Sequence, residues 1–333
     1  MEIITKNKAA KATLKAILSL AMLSLTPAIA VASEANIKIP NLSQEQNNLL
    51  LYGIMVCVLG MFFGLYQFIK VRRIRAHESM LDVANIIYET CKTYLIQQGK
   101  LLGILFAFIG ACIAFYFGFL QQTPFSGVLL ILAWTVIGIL GSYSVAWYGI
   151  RMNTLANSRT AFTALETKPL KLLNIALDAG MSIGVLLVCV ELIMMLIILL
   201  YVPREFAGDS VGPTADGFET YGVTGVALIY FIVLAVEPAL TSILLTWIFV
   251  MRILMIITSI GSFYINRTFS QARFGNKVDF DFEQPLTSLV WITSILSIAV
   301  TFAVSYYLLG PGSGVPVQLQ NLWLVLSVII SCG

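Results

Sequence analysis

Residues 181–202 read MSIGVLLVCVELIMMLIILLYV, an apolar run whose single charged residue is Glu191. At 1.5 Å per residue such a helix reaches across a hydrocarbon core of about 30 Å. A soluble core helix has no use for an apolar surface on every side, so this stretch decides the fold class. Similar runs recur at Leu49–Ile69, Leu101–Leu120, Val128–Ile150 and Leu286–Leu309. They do not alternate polar and apolar residues, which excludes a transmembrane β-barrel. The whole chain agrees: 59% of its 333 residues are apolar and 11% charged. Mean hydropathy is +0.90. A soluble domain carries about 25% charged residues. The expected fold is an all-α polytopic transmembrane bundle. Net charge is only +3, which offers nothing to a nucleic acid. Four of the five cysteines (Cys57, Cys112, Cys189, Cys332) lie in apolar stretches without a CxxC spacing, so packing is their expected role.

Between Gly222 and Ile265 runs one apolar stretch too long for a single span. Glu237-Pro238 divides it, because proline lacks an N–H and disfavours helix at the residue before it. Two helices follow, Gly222–Val236 and Ala239–Ile265, which brings the expected total to seven complete spans. Asn321–Gly333 opens a partial eighth. At the other end, Lys6, Lys8, Lys11 and Lys15 precede an apolar Ala16–Leu25 and the small-x-small patterns at Ala28–Ala30 and Ala30–Ala32. Residues 1–32 therefore read as a signal peptide, with an uncleaved anchor as the alternative, and 33–48 as a polar external segment. Residues 49–333 form the bundle.

Positive charge marks cytoplasmic loops. The Lys70–Lys100 and Arg151–Asp178 loops are basic, while Gln121–Gly127 and Gly310–Gln320 have no Lys or Arg. Counting spans from there puts Asn266–Pro285 outside, yet it carries Arg267, Arg273 and Lys277. The parity fails between Val202 and Gly222. One helix fewer or one more repairs it, and a missing helix is the preferred repair. The Asn266-Arg267-Thr268 sequon is discounted because its loop is basic.

Chemistry concentrates in Gly208-Asp209-Ser210-Val211-Gly212-Pro213-Thr214-Ala215-Asp216-Gly217-Phe218-Glu219-Thr220-Tyr221. Asp209 and Asp216 are two helical turns apart, and Asp216 and Glu219 are three residues apart, so each pair shares a helix face. Hard carboxylate oxygens on one face suit Mg²⁺, which bridges carboxylates to phosphates. Spacing alone fits a solvated, acid-capped helix start equally well. Glu191, mid-span, reads either as a protonated structural residue or as part of an ion path. Arg252, also intramembrane, needs an acid on a neighbouring helix or a snorkelled position.

The Gly208–Tyr221 stretch resembles the G-D-x-x-G-x-x-A-D-x-F-E-x-Y pattern of the membrane-integral, ion-pumping inorganic pyrophosphatases. Gly149-Ile150-Arg151-Met152-Asn153-Thr154-Leu155-Ala156-Asn157-Ser158-Arg159-Thr160 is similar to that family's Ala-Asn-x-Arg-Thr helix end. Ile86-Ile87-Tyr88-Glu89-Thr90-Cys91-Lys92-Thr93-Tyr94-Leu95 is similar to its E-G-A-x-A-[FY]-L segment. The resemblance implies hydrolysis of inorganic pyrophosphate, bound as a Mg²⁺ complex in a cytoplasmic funnel, coupled to transport of H⁺ or Na⁺. It implies Asp209 as the catalytic, water-positioning and metal-binding aspartate. It implies Glu205 as a metal ligand, where the family has aspartate, and Asp216 and Glu219 as gate or coupling residues; Glu191 joins that gate or coupling set from its mid-span position alone. K⁺ is a further cofactor it raises, and a homodimer in the bacterial inner (plasma) membrane its expected state.

The departures are as informative. The family spans the membrane about 16 times, so the chain resembles an N-terminal half. The family also places a helix and a cytoplasmic Gly/Lys/Asp-rich segment before the Asp209 equivalent. Here Pro203-Arg204-Glu205-Phe206 runs straight into the motif, and Gly217 stands where leucine is usual. That absence and the parity fault coincide. The expected picture is an internally deleted and C-terminally truncated pump segment, inactive alone. The alternatives are a non-catalytic membrane subunit packing against a partner, or a small transporter.

Overall fold

The computed structural model describes residues 42–166, 168–216, 225, 227–229, 232 and 236–332. The signal peptide, residues 33–41 of the polar segment, the Gly222–Val236 span as a unit, and Glu219 lie outside the described residues. The described helices are α1 (Gln44–Arg72), α2 (Glu78–Phe115, continued by a wide turn over Tyr116–Leu120), α3 (Phe125–Thr163), α4 (Pro169–Tyr201), α5 (Arg204–Asp216), α6 (Pro238–Phe274), α7 (Glu283–Leu309) and α8 (Val317–Cys332). No strand occurs among the described residues. Six of these helices are long and apolar enough to cross a membrane, and α8 is a shorter apolar helix. The chain is an all-α polytopic membrane bundle.

Local chemistry sets the helix starts. Ser43 caps α1 reciprocally: its hydroxyl accepts from the Gln46 N–H, and the Gln46 side chain accepts from the Ser43 N–H. Pro169 and Pro238 open α4 and α6, where the missing N–H costs nothing. The Glu237-Pro238 break thus starts a helix, as its sequence requires.

The middle of the bundle is α4, packed on α1, α3, α5 and α6. Half of its apolar window is buried and 61% of that in α6, against 6% in α2 and none in α7. The inner pair faces protein and the outer pair presents apolar side chains to lipid. Glycines on α1 set the closest approach: Gly60 lies against the Cys189 sulfur, and a Cβ on Gly64 would sit 3.2 Å from the Ser182 carbonyl. Their four-residue spacing is the small-xxx-small device of membrane helices. Across this seam the Ser182 hydroxyl donates to the Gly64 carbonyl at 2.8 Å, and the Tyr148 hydroxyl from α3 lies 3.1 Å from the same oxygen and 2.5 Å from Ser182 Oγ. Tyr148→Phe is expected to cost about 1 kcal/mol. Unfolding in dodecyl sulfate, in a double-mutant cycle with Ser182→Ala, measures the coupling; strict additivity would remove the shared bond.

Two ends of the bundle are distinguishable. At one, Asp178 at the start of α4 bridges Lys70 at the end of α1 and Arg267 near the end of α6. This basic end also holds the Asn266–Pro285 connection, as the charge argument demanded. At the other, neutral end, Leu240, Leu309 and Leu319 join the start of α6, the end of α7 and the start of α8 in one cluster. Asn266 is 1% exposed and bonded to α7 through Pro285 and Ser288, so the sequon is closed to glycosylation.

Candidate functional site

The motif segment forms α5, and its course is the main surprise of the structure. α4 finishes at Tyr201 at the neutral end, and α5 starts after only Val202-Pro203. Two residues cannot recross about 30 Å of hydrocarbon. α5 therefore turns back inward beside α3: Phe206 lies against Gly127, and the Thr214 backbone against Gly138. Those glycines are eleven residues apart on α3, a depth of about 16 Å. α6 also starts at the neutral end, beside Leu309 and Leu319, so Tyr201 and Pro238 lie on the same side, which is the parity that the charge argument required. The sequence reading placed a missing helix before the motif; here the motif itself turns inward. The same geometry opens the motif at the neutral end, whereas the resemblance implies an opening on the basic side.

Within α5 the acids are spread. Glu205 is exposed and Asp209, one turn later on the same face, is half-buried. Pro213 lies inside the helix and has no N–H to give the Asp209 carbonyl four residues back. Asp216 closes the helix. Among the described residues, no three His, Cys, Asp or Glu side chains come together to hold a metal ion. Of the three carboxylates on this 13-residue helix, Glu205 stands in the open and Asp209 is half-buried, a sparse set of oxygen ligands among the described residues.

Glu191 has a different setting. It is 1% exposed in the middle of α4 and faces α6, where Arg252 Nη1 lies 3.9 Å from its Oε1. Gly225 packs on the same guanidinium, where a Cβ would come within 2.7 Å. Leu192, Met195, Ile248 and Phe249 complete the wall around a void of about 10 Å³, room for about one water molecule. A charge pair in this apolar layer is strongly felt by its neighbours and can bias a proton or helix position. The two intramembrane charges that the sequence singled out separately thus belong to one arrangement.

The sequence reading missed Asp178. It is 2% exposed and holds two cations at 2.6 Å each. Its signal was available: an acid one turn before the apolar run of α4, at the end where the basic loops gather. The partner on α6 was hidden, since that loop's side depended on the unresolved parity.

The sequence model of the family described as Inorganic H+ pyrophosphatase matches residues 58–207 and 204–333, two pieces that meet at Arg204–Ala207. The chain is also 42% identical over 346 residues to a protein of Chlorobaculum tepidum named K(+)-insensitive pyrophosphate-energized proton pump. That alignment covers 85% of this chain and 45% of the relative, so the chain spans about half the length of the curated relative it matches.

Proposed function

Because the chain belongs to the inorganic H⁺ pyrophosphatase family, we propose that it is a membrane segment of a pump driven by inorganic pyrophosphate, moving H⁺ rather than Na⁺, with its basic end cytoplasmic. The relative's name supports H⁺ and speaks against a K⁺ requirement. Lys70, Arg267 and the basic loops support the orientation by the positive-inside rule. The homodimer is carried as part of the same proposal.

One observation shapes the reading of this particular chain: the two-residue link between α4 and α5. The family match breaks at the same place, Arg204–Ala207. We read the junction as an internal omission relative to the family. A further helix there would return the chain to the basic end, so that Asp209 opened toward the cytoplasm and Asp216 and Glu219 lay deeper. As joined, Asp209 and Glu205 sit across the membrane from the basic residues that would attract a phosphate anion. Mg²⁺ belongs to the resemblance, as the counter-ion that neutralises pyrophosphate, and the described residues are too few to hold it.

The expected result is that the purified chain releases phosphate from magnesium pyrophosphate at no more than background, and that Asp209→Asn changes nothing. Phosphate release that rises with Mg²⁺ and disappears in Asp209→Asn would overturn this reading. Cysteine substitution at the exposed Glu205, in a chain whose own Cys91 and Cys112 are replaced by serine and labelled from either side of sealed vesicles, reports which end of the bundle the motif opens to.

A further inference from the structure

At the basic end, α1, α4 and α6 leave a cavity of about 700 Å³ between them. Five cationic side chains line it, Lys70, Lys168, Lys171, Arg267 and Lys277, with the single carboxylate of Asp178. Asp178 lies at the buried wall and binds both Lys70 and Arg267, whose side chains remain 30% exposed. One carboxylate neutralises one cation, so the Lys70–Asp178–Arg267 triad keeps a net positive charge. Its geometry is fixed by two short bonds from different helices. Lys168 and Lys171 stand at the first turn of α4, whose N–H groups add positive potential. Lys171 shares its ammonium with Glu166 at 2.6 Å. Lys277 comes from the connection after α6 and lies over the Phe274 ring. Ile74, Leu170 and Val278 form an apolar part of the wall.

We propose that this cavity is a binding site for a phosphate-bearing anion, formed where the ends of α1 and α6 meet the start of α4. Preorganised cations around a charge-deficient triad favour a group of fixed negative charge and several acceptor oxygens. A pocket between helices on the basic side of a membrane meets two sources of that chemistry, an acidic phospholipid headgroup and a soluble phosphate. The apolar wall suits the glycerol and first methylenes of a lipid. The site uses no residue of the Gly208–Tyr221 motif, and the proposal stands whether or not the chain takes part in pyrophosphate hydrolysis.

The test uses the full chain in a neutral detergent and follows ³¹P resonance broadening. Phosphatidylglycerol is added in one arm, inorganic phosphate in a second, and phosphatidylcholine serves as the zwitterionic control. Lys168→Gln/Lys277→Gln removes two lining charges without touching the Asp178 triad. Arg73→Gln/Arg75→Gln removes two exposed charges from the same end but outside the cavity. The expected result is saturable binding, weakened about tenfold by the cavity pair and less than about twofold by the other pair. Saturation by phosphatidylglycerol identifies a headgroup site; saturation by inorganic phosphate alone identifies a soluble anion, and either supports the proposal. Equal losses in the two pairs would reduce the cavity to general surface charge and overturn it, as would no saturable binding in either arm.

Discussion

Glu191→Ala is expected to destabilise the bundle by about 3 kcal/mol. The substitution leaves Arg252, with a side chain 12% exposed, facing an apolar wall without the carboxylate 3.9 Å away. The cost is that of a buried cation losing its nearby carboxylate more than of a lost bond. Glu191→Gln keeps the shape and offers the guanidinium a carbonyl oxygen, so it should cost less than the alanine change. Arg252→Met combined with Glu191→Gln removes both charges and should recover most of the loss. Reversible unfolding in mixed micelles with dodecyl sulfate gives the three values and the coupling between the sites. A double variant as unstable as Glu191→Ala would show that packing around the void, and not charge, controls this layer.

Gly138→Leu is expected to cost about 3 kcal/mol and to dislodge α5 selectively. A Cβ at position 138 falls on the Thr214 carbonyl, a backbone atom that cannot rotate aside. Either α3 and α5 separate, or α5 leaves its groove and exposes Ala207, Val211 and Ala215, which are now buried. Gly103→Leu on the lipid-facing α2 is the control, because nothing lies within 4 Å of its added Cβ. Limited proteolysis distinguishes the outcomes: cleavage within Arg204–Asp216 should rise in Gly138→Leu and not in Gly103→Leu. Equal stability of the two variants would place α5 away from α3 and would undo the described course of the motif.

These two predictions divide the molecule into what composition governs and what packing governs. The helices were legible because hydrocarbon demands about 20 apolar residues per crossing and internal satisfaction of every backbone group. The Leu49–Ile69, Val128–Ile150 and Leu286–Leu309 runs lie within α1, α3 and α7, each helix extending past the apolar run into polar residues. Proline chemistry placed the start of α6 at Pro238. Charge asymmetry alone put Arg267 on the same side as Lys70, against the simple span count, and the Asp178 bridge joins them there. The motif's residue spacing was legible too, and with it the family.

Where the motif's acids point was not legible. A helix face read from spacing says which residues share a side, not which neighbour that side meets. Glu191 and Arg252 are 61 residues apart, and Asp178 and Arg267 89. Their meetings depend on how α4 and α6 are rotated about their own axes, which glycine seams and side-chain volumes settle together. The inward turn of α5 depends on the closeness of Gly127 and Gly138 to Phe206 and Thr214, contacts that exist only once α3 and α4 have packed. By itself the sequence determined which runs are long and apolar enough to cross, which ends carry the charge and which family the motif resembles. Only the tertiary structure decided which charges face each other and from which side the motif enters the bundle, because in a membrane the solvent selects apolar length while close packing alone selects rotation and partner.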